Sequence, residues 1–183
     1  MAKHVRIAIS GKSGCGNSTV SRLVAEKLGF RLVNYTFRAL AEEKGISFTE
    51  LRDQAEDDLR WDRYLDQRQV ELARDGNTVL GSRLAVWLLE DADLKVYLTA
   101  PPEVRARRIQ NREGGTYEEQ YRETLARDER DRQRYLKLYG IDNDDYDFVD
   151  LILDTTDKEP EQVAEQIIAH ARERALLGPA VGE

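Results

Sequence analysis

The feature that most constrains the fold lies near the start of the chain, where an apolar segment runs into a glycine cluster and then into an amphipathic segment. Residues 5–10 are apolar and largely β-branched, which predicts a strand, and residues 11–16 contain three glycines. Residues 18–28 repeat apolar side chains every three or four positions and end before Gly29, which predicts a helix. When a strand, a glycine loop and a helix follow one another in this way, the N–H groups of the loop and of the helix N-terminus form a site for a phosphate anion.

The glycine loop has the spacing of the phosphate-binding motif GxxxxGK[ST] but lacks the lysine of that motif. Gly11 and Gly16 match its glycines, and Ser18 stands where the hydroxyl group ligates Mg²⁺. Asn17 occupies the lysine position, so we expect Lys12 to bring the positive charge to the transferred phosphoryl group. The other interpretation is that Lys12 is solvated and the site is weakened. The residues expected to bind the phosphates of ATP are Gly11, Lys12, Ser13, Gly14, Cys15, Gly16, Asn17, Ser18 and Thr19.

Strand patterns alternate with helical patterns along the rest of the chain, which indicates βαβ units and a parallel sheet. Further strands are predicted at 31–34, 78–82, 94–100 and about 149–153, and a last helix at about 160–175. We therefore expect a single domain over residues 1–183, with a three-layer α/β/α fold and a five-stranded parallel sheet.

Two helical insertions stand outside this alternation. The first covers about 37–75 and holds three helical segments, one of them opened by a capping box at Ser47. The second covers about 113–140 and is a long arginine-rich helix, opened by a capping box at Thr116 after a Gly-Gly break. Because ligands of such sheets bind at the carboxyl ends of the strands, we expect the two insertions to close over a substrate there.

Charge is unevenly distributed along the 183 residues. The net charge of −7 argues against a protein that neutralises a nucleic-acid backbone, so no nucleic-acid partner is expected. Residues 141–183 hold twelve acids and three bases, which leaves the rest of the chain slightly basic. Of the 28 basic residues 21 are arginines, whose planar fork binds phosphate or carboxylate in a bidentate manner. The alternative is that these arginines are ordinary residues of solvated helix faces.

Cysteine and hydropathy patterns indicate a cytoplasmic protein that does not engage a membrane. The one cysteine, Cys15, excludes an internal disulfide framework and is interpreted as a small filler of the loop rather than a nucleophile. The first ten residues lack the apolar run of a secretory signal, and no stretch approaches the ~18 apolar residues of a membrane span. The two histidines, His4 and His170, are interpreted as solvated, and no metal-ligand cluster is visible.

With these segments placed, the chain resembles the nucleoside monophosphate kinases, most closely the short, archaeal-type cytidylate kinases. The resemblance covers roughly residues 5–170 and is carried by segments such as AISGKSGCGNSTVSRLVAEKLG, FRALAEEKG, EVRARRIQNREG and ARDERDRQR. It implies a P-loop kinase fold and transfer of the γ-phosphoryl group of ATP to CMP, with dCMP as a second acceptor. It also implies Mg²⁺ bound with ATP, and a monomer.

The resemblance implies roles for four arginines and one loop. Arg38 and Arg83 match the arginines that hold the acceptor phosphate, and two such forks suit a dianion. Arg108 and Arg112 match the pair that lies over the donor base and touches its phosphates. The loop from Asp154 to Asp157 matches the segment beside the donor adenine.

The second insertion carries the segment that the family uses as a lid. Arg127, Arg130 and Arg134 match arginines that act on the transferring phosphoryl group, which implies a catalytic role. Asp131 matches an acid that faces the acceptor ribose or the neighbouring arginines. Spacings of three and four residues place these side chains on one face of the helix.

The first insertion is where the family reads the acceptor base. Arg63, Asp66, Arg68 and Gln69 offer donors and acceptors that suit the amine and carbonyl groups of cytosine. The alternative is that they belong to an ordinary solvated helix surface.

A second departure from the family pattern lies at Gly81, where relatives have an acid. Together with Asn17 it leaves two other interpretations open. One is a nucleotide-binding protein that has lost most of its catalysis and acts through a partner. The other is a P-loop kinase for a different small acceptor, such as a sugar or shikimate.

Overall fold

Five strands form the centre of the computed structural model, which describes residues 4–178. They are β1 (Arg6–Gly11), β2 (Arg31–Val33), β3 (Thr78–Gly81), β4 (Leu94–Thr99) and β5 (Leu151–Asp154). All pairs are parallel, and the order across the sheet is β2-β3-β1-β4-β5. The expected five-stranded parallel sheet is confirmed, with strand ends shifted by one or two residues.

Helices connect the strands, and eight of them lie in the described residues. They are α1 (Asn17–Leu28), α2 (Phe37–Lys44), α3 (Phe48–Asp57), α4 (Arg60–Ala73), α5 (Ala85–Leu88), α6 (Pro102–Glu113), α7 (Tyr117–Tyr139) and α8 (Pro160–Glu173). The capping box expected at Thr116 is present. The box expected at Ser47 is only half formed among the described residues: Ser47 accepts a hydrogen bond from the Glu50 N–H, but the Glu50 side chain does not return one. Sequence patterns missed α5, because its four apolar residues carry no capping signal.

The two faces of the sheet build separate cores. Along β1 the side chains alternate, so that Ile7 and Ile9 pack in the core that α1 and α8 cover. Ala8 points to the other face, where it packs with residues of α4 and α5 such as Ala73 and Val86. Helices therefore cover both faces, as the predicted three-layer fold requires.

A third, smaller core holds the first insertion together. Leu40 and Ala41 of α2 and Leu51 of α3 are buried, and Trp61 and Tyr64 of α4 pack against them. This cluster positions the three helices as one unit beyond the carboxyl end of the sheet. No helix within residues 4–178 combines the length and apolar character needed to cross a bilayer.

A buried ion pair joins the glycine loop, the end of β4 and helix α7. Arg105 of α6 binds Asp128 of α7 in a bidentate manner, with Nη–Oδ distances of 2.6 and 3.0 Å. The same guanidinium donates to the carbonyl oxygens of Ser13 and Ala100, at 3.2 and 3.1 Å. Only 4% of the Arg105 side chain is exposed, so every bond of this group is formed inside the protein.

We predict that Asp128→Asn lowers the free energy of unfolding by about 3 kcal/mol, because it leaves the buried Arg105 charge unpaired. Urea unfolding measures the loss. Asp53→Asn is the matched control, since the Arg52–Asp53 pair is exposed and its removal should cost about 0.5 kcal/mol or less. Equal effects of the two substitutions would contradict the anchoring role of the buried pair.

Candidate active site

The glycine loop between β1 and α1 is built for close backbone approach. Gly14 has a φ of 83°, and a Cβ there would lie 2.9 Å from the Arg105 carbonyl oxygen. At Gly11 a Cβ would lie 2.8 Å from the carbonyl oxygen of Leu98. The N–H groups in the first turn of α1 have no acceptors within the helix and point toward the space above the loop. This arrangement can bind the phosphates of a nucleotide.

Cys15 packs beneath the loop. It is 2% exposed, and burial raises the pKa of its thiol above the ordinary value, which keeps the group neutral. The Thr155 hydroxyl donates to its carbonyl oxygen at 3.1 Å and so fixes the loop from below. These contacts support its interpretation as a filler.

Lys12 lies on the side of the loop that faces the segment after α7. Its Nζ is 2.5 Å from a carboxylate oxygen of Asp144, and the other Asp144 oxygen lies 3.8 Å from Arg132 Nε. A cavity of about 190 Å³ adjoins Lys12 and includes Tyr97 and Tyr146 in its lining. Lys12, the one basic residue of the glycine loop, is therefore paired with the carboxylate of Asp144.

The two departures from the family pattern are neighbours in space. Ser21 Oγ donates to Asn17 Oδ1 at 3.1 Å, and a Cβ at position 81 would lie 3.6 Å from the same amide oxygen. That Cβ would also lie 2.3 Å from Ser21 Oγ and 2.6 Å from Ser21 Cβ. Ser21 thus fills the space that a side chain at Gly81 would need. Asn17 and Gly81 therefore place no charged side chain at the two positions where the family pattern has a lysine and an acid.

A cavity of about 580 Å³ lies between the loop, α6 and the start of α8, beside the residues expected to bind the donor nucleotide. Arg108 reaches across it and bonds Gly14 O at 3.2 Å and the Thr155 hydroxyl at 3.0 Å, together with the Thr155 carbonyl. Arg112 also lines the cavity and is paired with Glu113 at 2.7 Å. Thr155, Thr156 and Asp157 of the predicted adenine-side loop belong to the same lining.

The residues expected to bind the acceptor nucleotide include basic groups that meet acids along one face of α7. Arg83, just after β3, bonds Asp131 at 2.7 Å, and Arg134 bonds Asp62 at 2.9 Å. Burial raises the pKa of both carboxyl groups, while Arg83 and Arg134 oppose that shift at Asp131 and Arg134 opposes it at Asp62. Arg127, on the same face, donates to the hydroxyl of Ser13 at 3.1 Å and so reaches the glycine loop.

Arg38 and Arg130 are placed more openly. Arg38 of α2 lies over the ring of Phe48, with Cζ 4.8 Å from the ring centroid. Arg130 bonds Glu123 at 2.6 Å, and 61% of its side chain is exposed. Arg127 approaches the same glutamate at 4.0 Å, so the two arginines share one stripe of α7.

The four side chains of α4 expected to read the acceptor base are all engaged by protein groups. Asp66 accepts from Tyr139 Oη at 2.6 Å, and burial raises its pKa to about 6. Arg63 donates to Leu138 O at 2.9 Å. Arg68 pairs with Glu71 at 3.1 Å, and Gln69 donates to Tyr35 O at 2.8 Å. These bonds fix α4 to α7 and to the end of β2.

Oxygen donors for a magnesium ion lie beside the loop. Ser18, exposed at the start of α1, lines a cavity of about 260 Å³ together with Asn34 and Gly81. A hydroxyl and an amide oxygen fit Mg²⁺, which keeps most of its ligands as water and phosphate. Among the described residues no group of three or more His, Cys, Asp or Glu side chains could hold a metal ion alone.

Sequence reasoning missed three residues of the site. Arg105 and Asp128 lie on different helices, and only the fold shows that they meet beneath the loop. Asp62 was also missed, although its spacing of four from Asp66 places both on one face of α4. No pattern in the sequence alone indicates that Asp62 and Asp66 contact α7.

The strand, glycine loop and helix, with an arginine-rich helix over the carboxyl end of a parallel sheet, define a P-loop phosphotransferase. A family model described as the cytidylate kinase-like family matches residues 6–157. The chain belongs to this family.

Individual proteins show the same likeness. The chain is 49% identical over 167 residues to "Cytidylate kinase 2" of Borreliella afzelii, covering 89% of this chain and 94% of that one. It is 43% identical over 159 residues to the cytidylate kinase of Pyrococcus horikoshii, covering 86% and 83% of the two chains. A shikimate kinase structure from Bacteroides thetaiotaomicron superposes with a TM-score of 0.64 at 19% identity, over 94% of this chain and 99% of that one. That likeness shows the fold alone.

The contact between Ser21 and position 81 can be tested by a double-mutant cycle. We predict that Gly81→Ala lowers the free energy of unfolding by about 1–3 kcal/mol, because its Cβ overlaps Ser21. In a Ser21→Gly background the same substitution should cost at least about 1 kcal/mol less. Ser21→Ala is the control and should restore little, since Ser21 Cβ itself overlaps. Additive losses in the Ser21→Gly double variant would contradict this packing.

Proposed function

We propose that this protein transfers the γ-phosphoryl group of ATP to CMP, giving ADP and CDP, with dCMP as a second acceptor. The observation that carries the proposal is the cluster of arginines along α7: Arg127 reaches Ser13 of the phosphate-binding loop, Arg83 bonds Asp131 of α7, and Arg134 of α7 bonds Asp62. Relatives named cytidylate kinase, at 43–49% identity, support CMP as the acceptor.

The donor nucleotide is held on the α6 and α8 side of the loop. The loop N–H groups bind its phosphates, Arg108 and Arg112 lie over its base, and the Asp154–Asp157 segment flanks the adenine. Ser18, with Asn34 nearby, would hold the magnesium ion. When bound, that ion neutralises charge on the β- and γ-phosphates.

The acceptor phosphate is held by Arg38 and Arg83. It replaces Asp131 on the Arg83 guanidinium, because both are anions that compete for the same fork. No general base is needed, since the attacking oxygen belongs to an ionised phosphate. Phosphoryl transfer then depends on alignment and on neutralisation of charge on the equatorial oxygens.

The arginines of α7 and Lys12 neutralise charge as it develops. Arg127 and Arg134 approach the transferring group from the α7 side, and Arg130 contributes from the adjoining turn. Lys12 exchanges Asp144 for the β- and γ-phosphates when ATP binds. Closure of α7 over the loop excludes water and so suppresses hydrolysis of ATP.

The same proposal covers the partners, the oligomeric state and the location of the enzyme. Its partners are the small nucleotides ATP and CMP, with neither nucleic acid nor a membrane involved. We propose that it works as a monomer in the cytoplasm, which agrees with its single, buried cysteine.

A coupled ADP-release assay tests the acceptor. We predict turnover with CMP and dCMP, weaker turnover with UMP, and none above the ATP-hydrolysis background with AMP or shikimate. Binding of ATP is measured in parallel. Tight ATP binding without turnover of any acceptor would contradict the proposed transfer, and so would turnover with shikimate alone.

The role of Lys12 is tested by three variants. We predict that Lys12→Ala lowers kcat with CMP by about 10²–10³, the usual cost of losing one charge-stabilising group. Asp144→Asn removes only the partner of Lys12 and should lower kcat less than about threefold. Lys27→Ala, which removes an exposed lysine paired with Glu161, is the matched control and should leave kcat unchanged. Equal losses in Lys12→Ala and Asp144→Asn would assign Lys12 a structural role instead.

A further inference from the structure

A further hollow, apart from the three cavities described above, lies between α3 and α7. It has a volume of about 230 Å³ and is lined by Phe37, Phe48, Arg52, Ala55, Glu56 and Arg134. We call it the α3 pocket. The size admits a single six-membered ring and its substituents.

One face of α3 supplies most of this lining. Arg52, Ala55 and Glu56 lie four, seven and eight residues after Phe48, a spacing that places all four on one stripe of a helix. Ala55 is buried and small, so it forms the floor between the larger side chains. The stripe therefore places an aromatic ring, a guanidinium group and a carboxylate in the lining of the α3 pocket.

The side chains of this stripe are available to bind a ligand. Phe48 is 37% exposed, one of a few large apolar side chains at the surface of the described residues. Glu56 forms no ion pair or side-chain hydrogen bond with any described residue, and Arg52 is paired only with the adjacent, exposed Asp53. Arg134 Nε is buried and lacks a hydrogen-bond partner within the described part of the chain. An unsatisfied buried donor at the edge of a hollow points to a missing acceptor.

The pocket also adjoins both ends of the proposed acceptor site. Arg38, proposed for the acceptor phosphate, lies over the Phe48 ring, and Arg134, proposed for the transferring group, forms one wall. A ring bound in the pocket would thus extend from a phosphate held by these arginines. The α4 side chains expected to read the base are already bonded to protein groups, Asp66 to Tyr139 and Gln69 to Tyr35 O among them.

We infer that the α3 pocket binds the base of the acceptor nucleotide and that Glu56 and Arg52 select cytosine over uracil. The inference rests on the proposed function and moves base reading from α4 to α3. The Glu56 carboxylate accepts a hydrogen bond from the exocyclic amine of cytosine and repels the carbonyl oxygen that uracil has there. Arg52 donates to the ring nitrogen or the 2-carbonyl oxygen, and Phe48 contacts the ring face.

Glu56→Gln tests the selection. The variant amide can donate to uracil, so the CMP-to-UMP ratio of kcat/KM should fall by about tenfold to a hundredfold, the effect of one hydrogen bond to a charged group. Asp57→Asn removes the neighbouring acid of the same helix, which lies outside the pocket, and should leave the ratio unchanged. An unchanged ratio in Glu56→Gln, or equal changes in both variants, overturns the inference.

Phe48 separates ring packing from base reading. Phe48→Ala should raise KM for CMP and UMP alike by about tenfold and leave their ratio unchanged, while Phe48→Leu should retain most of the binding. If Phe48→Ala leaves both KM values as they are, the ring does not lie in this pocket.

Calorimetric binding of CMP and UMP keeps this test independent of turnover. If the wild-type protein binds CMP in preference to UMP but transfers no phosphoryl group, the proposed function fails. The binding ratio in Glu56→Gln then still decides the inference. A fall of tenfold or more supports the α3 pocket, and an unchanged ratio overturns it.

Discussion

The buried pair between Arg105 and Asp128 is the interaction on which the site depends. Its guanidinium holds the Ser13 and Ala100 carbonyl oxygens and two carboxylate oxygens at once. It therefore fixes the positions of the glycine loop, the carboxyl end of β4 and helix α7 relative to one another. Removing a charge from water is costly, and the four bonds offset that cost only while all three elements stay in place.

Near this buried pair, carboxylates form ion pairs with the basic groups that the substrates would bind. Asp131 lies on Arg83, Asp62 on Arg134 and Asp144 on Lys12. In our account the phosphates of CMP and ATP displace carboxylates rather than water, so part of the binding free energy is used to break these pairs. Burial raises the pKa of Asp131 and so disfavours its charged form, while Arg83 opposes this shift. The pairs keep the arginines in place without making the empty site strongly cationic.

Sequence patterns were sufficient for the sheet, the glycine loop and the two insertions. Periodicity fixes β1 and α1, and the capping box at Thr116 marks the start of α7, because these signals are local. Pairings between distant segments are different. Nothing local indicates that Asp128 meets Arg105 or that Gly81 is required by Ser21, since each depends on how helices cross the sheet. The same holds for α4: its polar residues are visible in the sequence, whereas their bonds to α7 depend on the fold.

The central claim is that Lys12 and the arginines of α7 together replace the missing P-loop lysine. A crystal structure with CMP and a non-hydrolysable ATP analogue tests it most directly. We predict that Lys12 Nζ leaves Asp144 and lies within about 3 Å of a β- or γ-phosphate oxygen, with Arg83 on the acceptor phosphate. Retention of the Lys12–Asp144 pair in a fully bound complex would contradict the claim.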